Sequence, residues 1–208
     1  MEKATPPLSL IEDNDSLASR RPTRQQAEEA VRTLLAYIGD DPNREGLLET
    51  PSRVVRAYEE LFAGYTRNPK DYLERTFEDA GGYDDLVFVR DIDFQSHCEH
   101  HILPIVGKMH IAYLPHKRVV GLSKLARTME VFTRRLQIQE RMTSEIVSAI
   151  EETLQPRGVA LMVEAEHGCM TCRGVAKKDA HTVTIKLSGA FKDDPQLEQR
   201  FFALLKKR

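Results

Sequence analysis

Residues 86–114, LVFVRDIDFQSHCEHHILPIVGKMHIAYL, decide how this chain folds. Asp91-Ile92-Asp93-Phe94 alternates polar and apolar, so Leu86 to Phe94 reads as a strand with one wet face. Ile105 to Leu114 reads as a second strand, with Ile105, Gly107, Met109, Ile111 and Tyr113 on one side. The polar turn between them, Ser96-His97-Cys98-Glu99-His100-His101, is too short for a crossover, so the two strands should pair antiparallel. The pattern recurs downstream. Val159 to Glu164 and Thr182 to Leu187 read as another pair, again joined by a loop that carries cysteine and histidine.

Around these strands the period changes to that of helices. Thr23, with Gln26 at the capping-box position, starts a helix to about Ile38, with Val31, Leu34, Leu35 and Ile38 on one face. Thr50-Pro51 starts a second, with Val54, Val55, Tyr58, Leu61 and Phe62 at helical spacing and Gly64 as its stop. A short helix fits Pro69 to Arg75. Ser123 reads as the cap of a long helix, another runs from Gln139 to Leu154, and Asp193-Asp194-Pro195 opens a last one. Strand pairs joined by short loops, interleaved with helices, make this an α+β protein with an antiparallel sheet. The expected organisation is a flexible tail over 1–22, a helical region over 23–80 and an α+β domain over 81–208.

Composition narrows the classes. Hydrophobic residues make up 41% of 208, enough for a core, and 30 basic against 32 acidic residues leave a net charge of −2. No global basic field favours nucleic acid, so an anion site has to be a local cluster. The acidic N-terminus has no apolar signal core, and no run reaches the roughly 18 apolar residues of a membrane span. Three cysteines, an odd number, fit reduced thiols in a cytoplasmic protein better than a disulfide framework.

Those cysteines mark the chemistry. Cys98 and His101 lie three positions apart in one strand-connecting loop, and Cys169 lies in the other, so one sheet can bring them together. Zinc takes sulfur and nitrogen ligands, and three protein ligands leave a place for water activated near neutral pH. Spacing alone leaves other arrangements open. Cys98, His101, Cys169 and Cys172 could form a closed structural Cys3His site. His97-x-Glu99 with Cys169-x2-Cys172 resembles the zinc deaminase pattern, although Gly168 stands where that pattern has proline. The histidines could also be ordinary loop residues. Four of the seven, His97, His100, His101 and His167, fall in or beside the two cysteine loops, and a structural site needs no such surplus of imidazole. Glu99 is expected to hold one of these imidazoles.

Two further clusters suggest a substrate. With Ser123 as cap, Lys124 opens a helix and Arg127 follows one turn later, beside free amides that favour phosphate. Arg173 adds a cation near the metal loop. Glu140, next to Gln139, could accept two hydrogen bonds from a guanine-like edge, although a carboxylate favoured by the helix start explains it as well.

Taken in order, the segments resemble GTP cyclohydrolase I. They are Ser96-His97-Cys98-Glu99-His100-His101, Gly121-Leu122-Ser123-Lys124 with Arg127, Arg135-Leu136-Gln137 with Gln139-Glu140-Arg141, His167-Gly168-Cys169-Met170 and Arg173-Gly174-Val175. The resemblance runs from about residue 25 to the C-terminus. It implies conversion of GTP to 7,8-dihydroneopterin triphosphate and formate, the first step of pterin and tetrahydrofolate synthesis. It implies Zn2+ on Cys98, His101 and Cys169, with Cys172 a bystander, and proton handling by His100 and His167. It gives Glu140 and Gln139 the base edge. Ser123, Lys124, Arg127 and Arg173 take the ribose and triphosphate, with Ser123 also near the ribose rearrangement and Arg53 contributed by a neighbouring subunit. The implied fold is a four-stranded antiparallel sheet with helices on one side, of the tunnelling type, assembled as a toroidal homodecamer (a dimer of pentamers) with active sites at subunit interfaces.

Overall fold

The computed structural model describes residues 21–77 and 83–206; all but two residues of the expected 1–22 tail lie outside them. Two compact units divide the chain, one ending at Glu59 and the other running from Glu60. In the first, α1 (Arg24–Tyr37) opens on the expected capping box: the Thr23 hydroxyl accepts from the Gln26 N–H, and the Gln26 side chain accepts from the Thr23 N–H. A single 3₁₀ turn, Glu45–Leu47, precedes α2 (Thr50–Leu61), whose Pro51 lacks the N–H that a first turn leaves unpaired anyway.

The second unit is built on a sheet. After α3 (Lys70–Leu73) come β1 (Thr76–Phe77), β2 (Val87–Cys98), β3 (Pro104–Leu114) and β4 (Val119–Val120). Then follow α4 (Leu122–Thr133), β5 (Leu136–Gln137), α5 (Gln139–Leu154) and β6 (Gly158–His167). Last are α6 (Gly168–Thr171), β7 (His181–Gly189), α7 (Ala190–Asp193) and α8 (Pro195–Lys206). The main sheet has five strands in the order β5-β2-β3-β6-β7, while β1 and β4 form a separate antiparallel pair. The antiparallel four-strand expectation therefore holds for β2-β3-β6-β7 and misses the two-residue β5, which pairs parallel with β2 at His97 and Cys98. A two-residue strand has no period to read, and only its neighbour defines it.

One face of the sheet carries the main core. Ile105, Met109, Ile111 and Tyr113 of β3 and Val159, Leu161, Val163 and Ala165 of β6 meet Leu125 and Met129 of α4 and Met142, Ile146 and Ile150 of α5, all essentially inaccessible to water. Each such aliphatic side chain contributes about 1.5–3 kcal/mol by leaving water. The expectation that helices lie on one side needs correction. Ala112, Leu114 and Ala160 face the other way and pack with Phe191 of α7 and Phe201 of α8. The opposite face is apolar toward that end, where the last two helices cover it, and polar further along at Lys108, Glu164, Glu166 and His181. Among the described residues no helix is long and apolar enough to cross a membrane.

A bulge sets the phase of β2. Val89 pairs with Ile111 and Ile92 with Met109, so Arg90 and Asp91 together oppose His110. Asp91 adopts φ 58°, and its N–H donates to His110 Nδ1 at 3.2 Å. Before the bulge, odd-numbered Val87 and Val89 face the core; after it, Ile92, Phe94 and Cys98 do. One extra residue thereby turns Cys98 inward.

Candidate metal centre and its surroundings

Cys98 ends β2, and its backbone closes the following turn. Its N–H donates to Leu103 O at 2.8 Å, and its carbonyl accepts from Ile102 N–H at 2.8 Å. Ile102 takes φ 56°, a left-handed conformation that costs a β-branched residue on the order of 1–2 kcal/mol. That tight turn brings His100 Nδ1 to 3.6 Å and His101 Nδ1 to 4.0 Å from Cys98 Sγ. Ile105 pairs with His167, so the end of β6 lies against the start of β3, and Cys169 follows two residues after His167, in α6. The ligand atoms of Cys98, His101 and Cys169 all lie within 4.8 Å of one another. Two sulfurs and one imidazole nitrogen are a donor set that suits zinc. Burial, and then the nearby Cys98 thiol, raise the Cys169 pKa, so without a cation this pair resists ionising together.

Cys172 stands apart from the trio. Its exposed thiol donates to Gly168 O at 2.8 Å. Arg173 reaches the group, with Nη1 3.1 Å from His101 Nε2. Glu99 goes elsewhere than expected. It pairs with Arg141 on α5 and so ties the turn to that helix instead of holding an imidazole. Arg141 stood in the Gln139-Glu140-Arg141 motif without a role, because its partner lies 42 positions away in sequence.

His167 and Gln139 meet at 2.7 Å, His167 Nε2 to Gln139 Oε1. Burial lowers the pKa of His167, partly offset by the charge of Glu140. Glu140 itself is exposed in the first turn of α5. Gln139, read from sequence as a base-edge contact, is 1% exposed. Its Nε2 shares two hydrogens among Val163 O, Thr182 O and Thr184 Oγ1, and its Oε1 faces His167, so no part of the amide is left for a ligand. His97 is also buried, edge-on to Phe62 at 5.1 Å, and belongs to the packing.

The basic cluster lies elsewhere. Gly121 is the N-cap of α4, without a side-chain cap bond, so Ser123 is a first-turn residue and not the cap. The chain reaches that point from the far end of β3, where Val120 N–H donates to the Tyr113 hydroxyl at 3.2 Å. From Ile105 to Tyr113 the strand advances roughly 25 Å. Ser123 and Lys124 thus open α4 at the opposite end of β3 from Cys98, and Arg127 lies one turn further on, as the helix runs back toward β5. Arg53 lies on α2 in the first unit, paired with Glu49.

Known proteins bear directly on a chain with this donor trio and these flanking imidazoles. The GTP cyclohydrolase I family model matches residues 27–206. This chain belongs to that family. It is 56% identical to GTP cyclohydrolase 1 of Allorhizobium ampelinum over 188 residues, covering 90% of this chain and 94% of that protein. The same-named enzyme of Sinorhizobium fredii is 55% identical, over 90% and 92% of the two chains, and that of Brucella anthropi 54%, over 92% and 90%. The chain is thus an enzyme of a cyclohydrolase family. The apo crystal structure of an archaeosine synthase of the QueF-like type matches 51% of this chain and 96% of its own at a TM-score of 0.42 and 14% identity, too loose a likeness to carry an argument.

Proposed function

We propose that this enzyme converts GTP to 7,8-dihydroneopterin triphosphate with release of formate, in the cytoplasm, as the opening step of pterin and tetrahydrofolate synthesis. The observation that carries the reading is the trio Cys98, His101 and Cys169, with donor atoms within 4.8 Å and His100 and His167 close by. These three residues would hold Zn2+, which supplies Lewis acidity and water activated near neutral pH. Family membership supports GTP as the substrate.

The protein's own groups divide the work. Glu140, at the positive end of α5, accepts from the amidine edge of guanine and fixes the base over the trio. His100 and His167 carry protons to and from the imidazole ring as it opens at C8 and loses formate. Arg173, Lys124 and Arg127 bind the triphosphate, and Ser123 assists as the ribose rearranges. Arg53 joins them from a neighbouring subunit. Because Ser123 and Lys124 open α4 at the far end of their own sheet, they and Arg127 one turn on serve the trio of another copy. That supports a closed oligomer, a toroidal homodecamer of tunnelling-type subunits, in which residues 81–208 form the catalytic domain beside the 23–80 helical region.

The test is incubation of zinc-loaded protein with GTP, reading formate and, after oxidation, a fluorescent pterin. Folded, metal-replete protein that yields neither sinks the proposal. Release of ammonia without formate would point to a deaminase instead.

A further inference from the structure

We infer that Gln139 is a positioning residue that locks His167 in one tautomer, with the proton on Nε2 and the lone pair on Nδ1. The inference rests on the reading of His167 as a proton carrier. It comes from counting hydrogens in a small buried network.

The Gln139 side chain has one amide nitrogen and one oxygen, and either could face His167. Its surroundings decide which. One end of the amide lies 3.2 Å from Val163 O and 3.0 Å from Thr182 O. Backbone carbonyls only accept, so that end must be the nitrogen. A flipped amide would press its oxygen against two carbonyl oxygens with no proton between them. The third contact of that nitrogen, Thr184 Oγ1 at 3.2 Å, fits the same direction. The Thr143 hydroxyl spends its one hydrogen on Gln139 O at 2.7 Å. The 2.7 Å contact between the two threonines must then be donated by Thr184, whose oxygen is left to accept from Gln139. The two hydrogens of the amide nitrogen are shared among three acceptors, all on the same end of the side chain, so the direction of the amide stands.

Gln139 Oε1 therefore faces His167 Nε2 at 2.7 Å, and it can only accept. The hydrogen must be on Nε2. In the neutral ring, Nδ1 then carries the lone pair, so any proton this histidine exchanges with substrate moves through Nδ1. The network also fixes where the ring lies, because it joins the first residue of α5 to carbonyls of β6 and β7 in the middle of a close-packed face. Gln139 touches the histidine and not the reacting atoms.

The experiment uses the full-length, zinc-loaded oligomer labelled with 15N in histidine. The His167 signal, assigned by its loss in His167→Asn, should show a single neutral tautomer protonated at Nε2. Gln139→Met keeps the bulk and removes the acceptor. It should give mixed tautomers and lower kcat by about 10–100-fold, with KM for GTP within about threefold and zinc content unchanged. Gln139→Glu restores an oxygen opposite Nε2 and should recover the tautomer and part of kcat, even if it melts at lower temperature. The inference is overturned if the wild-type ring is protonated at Nδ1, a result that needs no variant to fold. It is equally overturned if Gln139→Met keeps both tautomer and kcat and loses only thermal stability, as a purely structural clamp would. Wild-type protein that shows the Nε2–H signature but makes no formate would refute the proposed reaction and leave the tautomer assignment intact.

Discussion

The two ends of the central sheet are made from the same strands and do opposite things. At one end, the β2–β3 turn and the start of α6 gather thiols and imidazoles around a point. At the other, roughly 25 Å along β3, the chain opens α4 with Ser123 and Lys124, and Arg127 follows one turn later. The first end is dense, and its side chains are held by partners: Glu99 by Arg141, His167 by Gln139. The second end offers exposed or half-exposed cations and free helix amides. One end is suited to bond making, the other to holding an anion. If both ends belong to one active site, as proposed, a second copy has to close the gap.

The largest effect is expected from Cys169→Ser. Loss of a direct ligand should strip the metal and lower turnover by more than about 100-fold, beyond the usual cost of removing an outer partner, as read by metal analysis and formate release. Arg127→Ala should act differently, raising KM for GTP by about tenfold through one lost charge-assisted hydrogen bond and leaving zinc content intact. Co-expressing the two variants tests the comparison itself. If each site draws its halves from two subunits, about a quarter of the sites in mixed oligomers should regain the wild-type KM, read as turnover at GTP well below the KM of Arg127→Ala. Mixed oligomers in which every active site keeps the raised KM of Arg127→Ala would mean that both halves come from one chain.

A smaller effect is expected midway between the ends. Burial depresses the His110 pKa, and its neutral Nδ1 accepts the Asp91 N–H that shapes the bulge. Other charges on it, Asp91 and Glu164 raising and Lys108 and Arg90 lowering, are secondary. The unfolded chain takes up this proton at higher pH than the folded one. The stabilisation is therefore complete above about pH 6.5 and fades as pH falls through the depressed folded value. Melting between pH 7.5 and 5.5 should drop by roughly 2–4 °C more in wild type than in His110→Gln. Equal slopes would detach the bulge from His110. The smallest effect should be that of Cys172→Ser, with zinc content and turnover changed less than about twofold, because its thiol is spent on Gly168 O. A loss matching that of Cys169→Ser would make the centre a closed four-ligand site.

Much of this could be read from residues alone. The capping box at Thr23 and Gln26 is local chemistry and was legible to the residue. The strands were legible as elements because alternation marks them, but their ends ran past the pattern: β2 continues to Cys98 through a polar stretch that alternation does not flag. Ser123 was misread as a cap because a hydroxyl before a helix is a good local signal, while the strand pair β1–β4 that starts the helix two residues earlier is tertiary. Gln139 was misread as a ligand contact for the same kind of reason. Its neighbours in sequence are polar, and its neighbours in space are carbonyls of two strands.

The sequence by itself determined the elements, the ligand types and the family, because short-range period, capping and an ordered set of motifs need no third dimension. It could not determine which way Cys98 faces, which partner Glu99 takes, or that α4 starts at the opposite end of β3 from Cys98. Those depend on one bulge residue, on an ion pair spanning 42 positions and on the direction in which α4 returns. Each is a long-range packing choice, fixed only when the core closes.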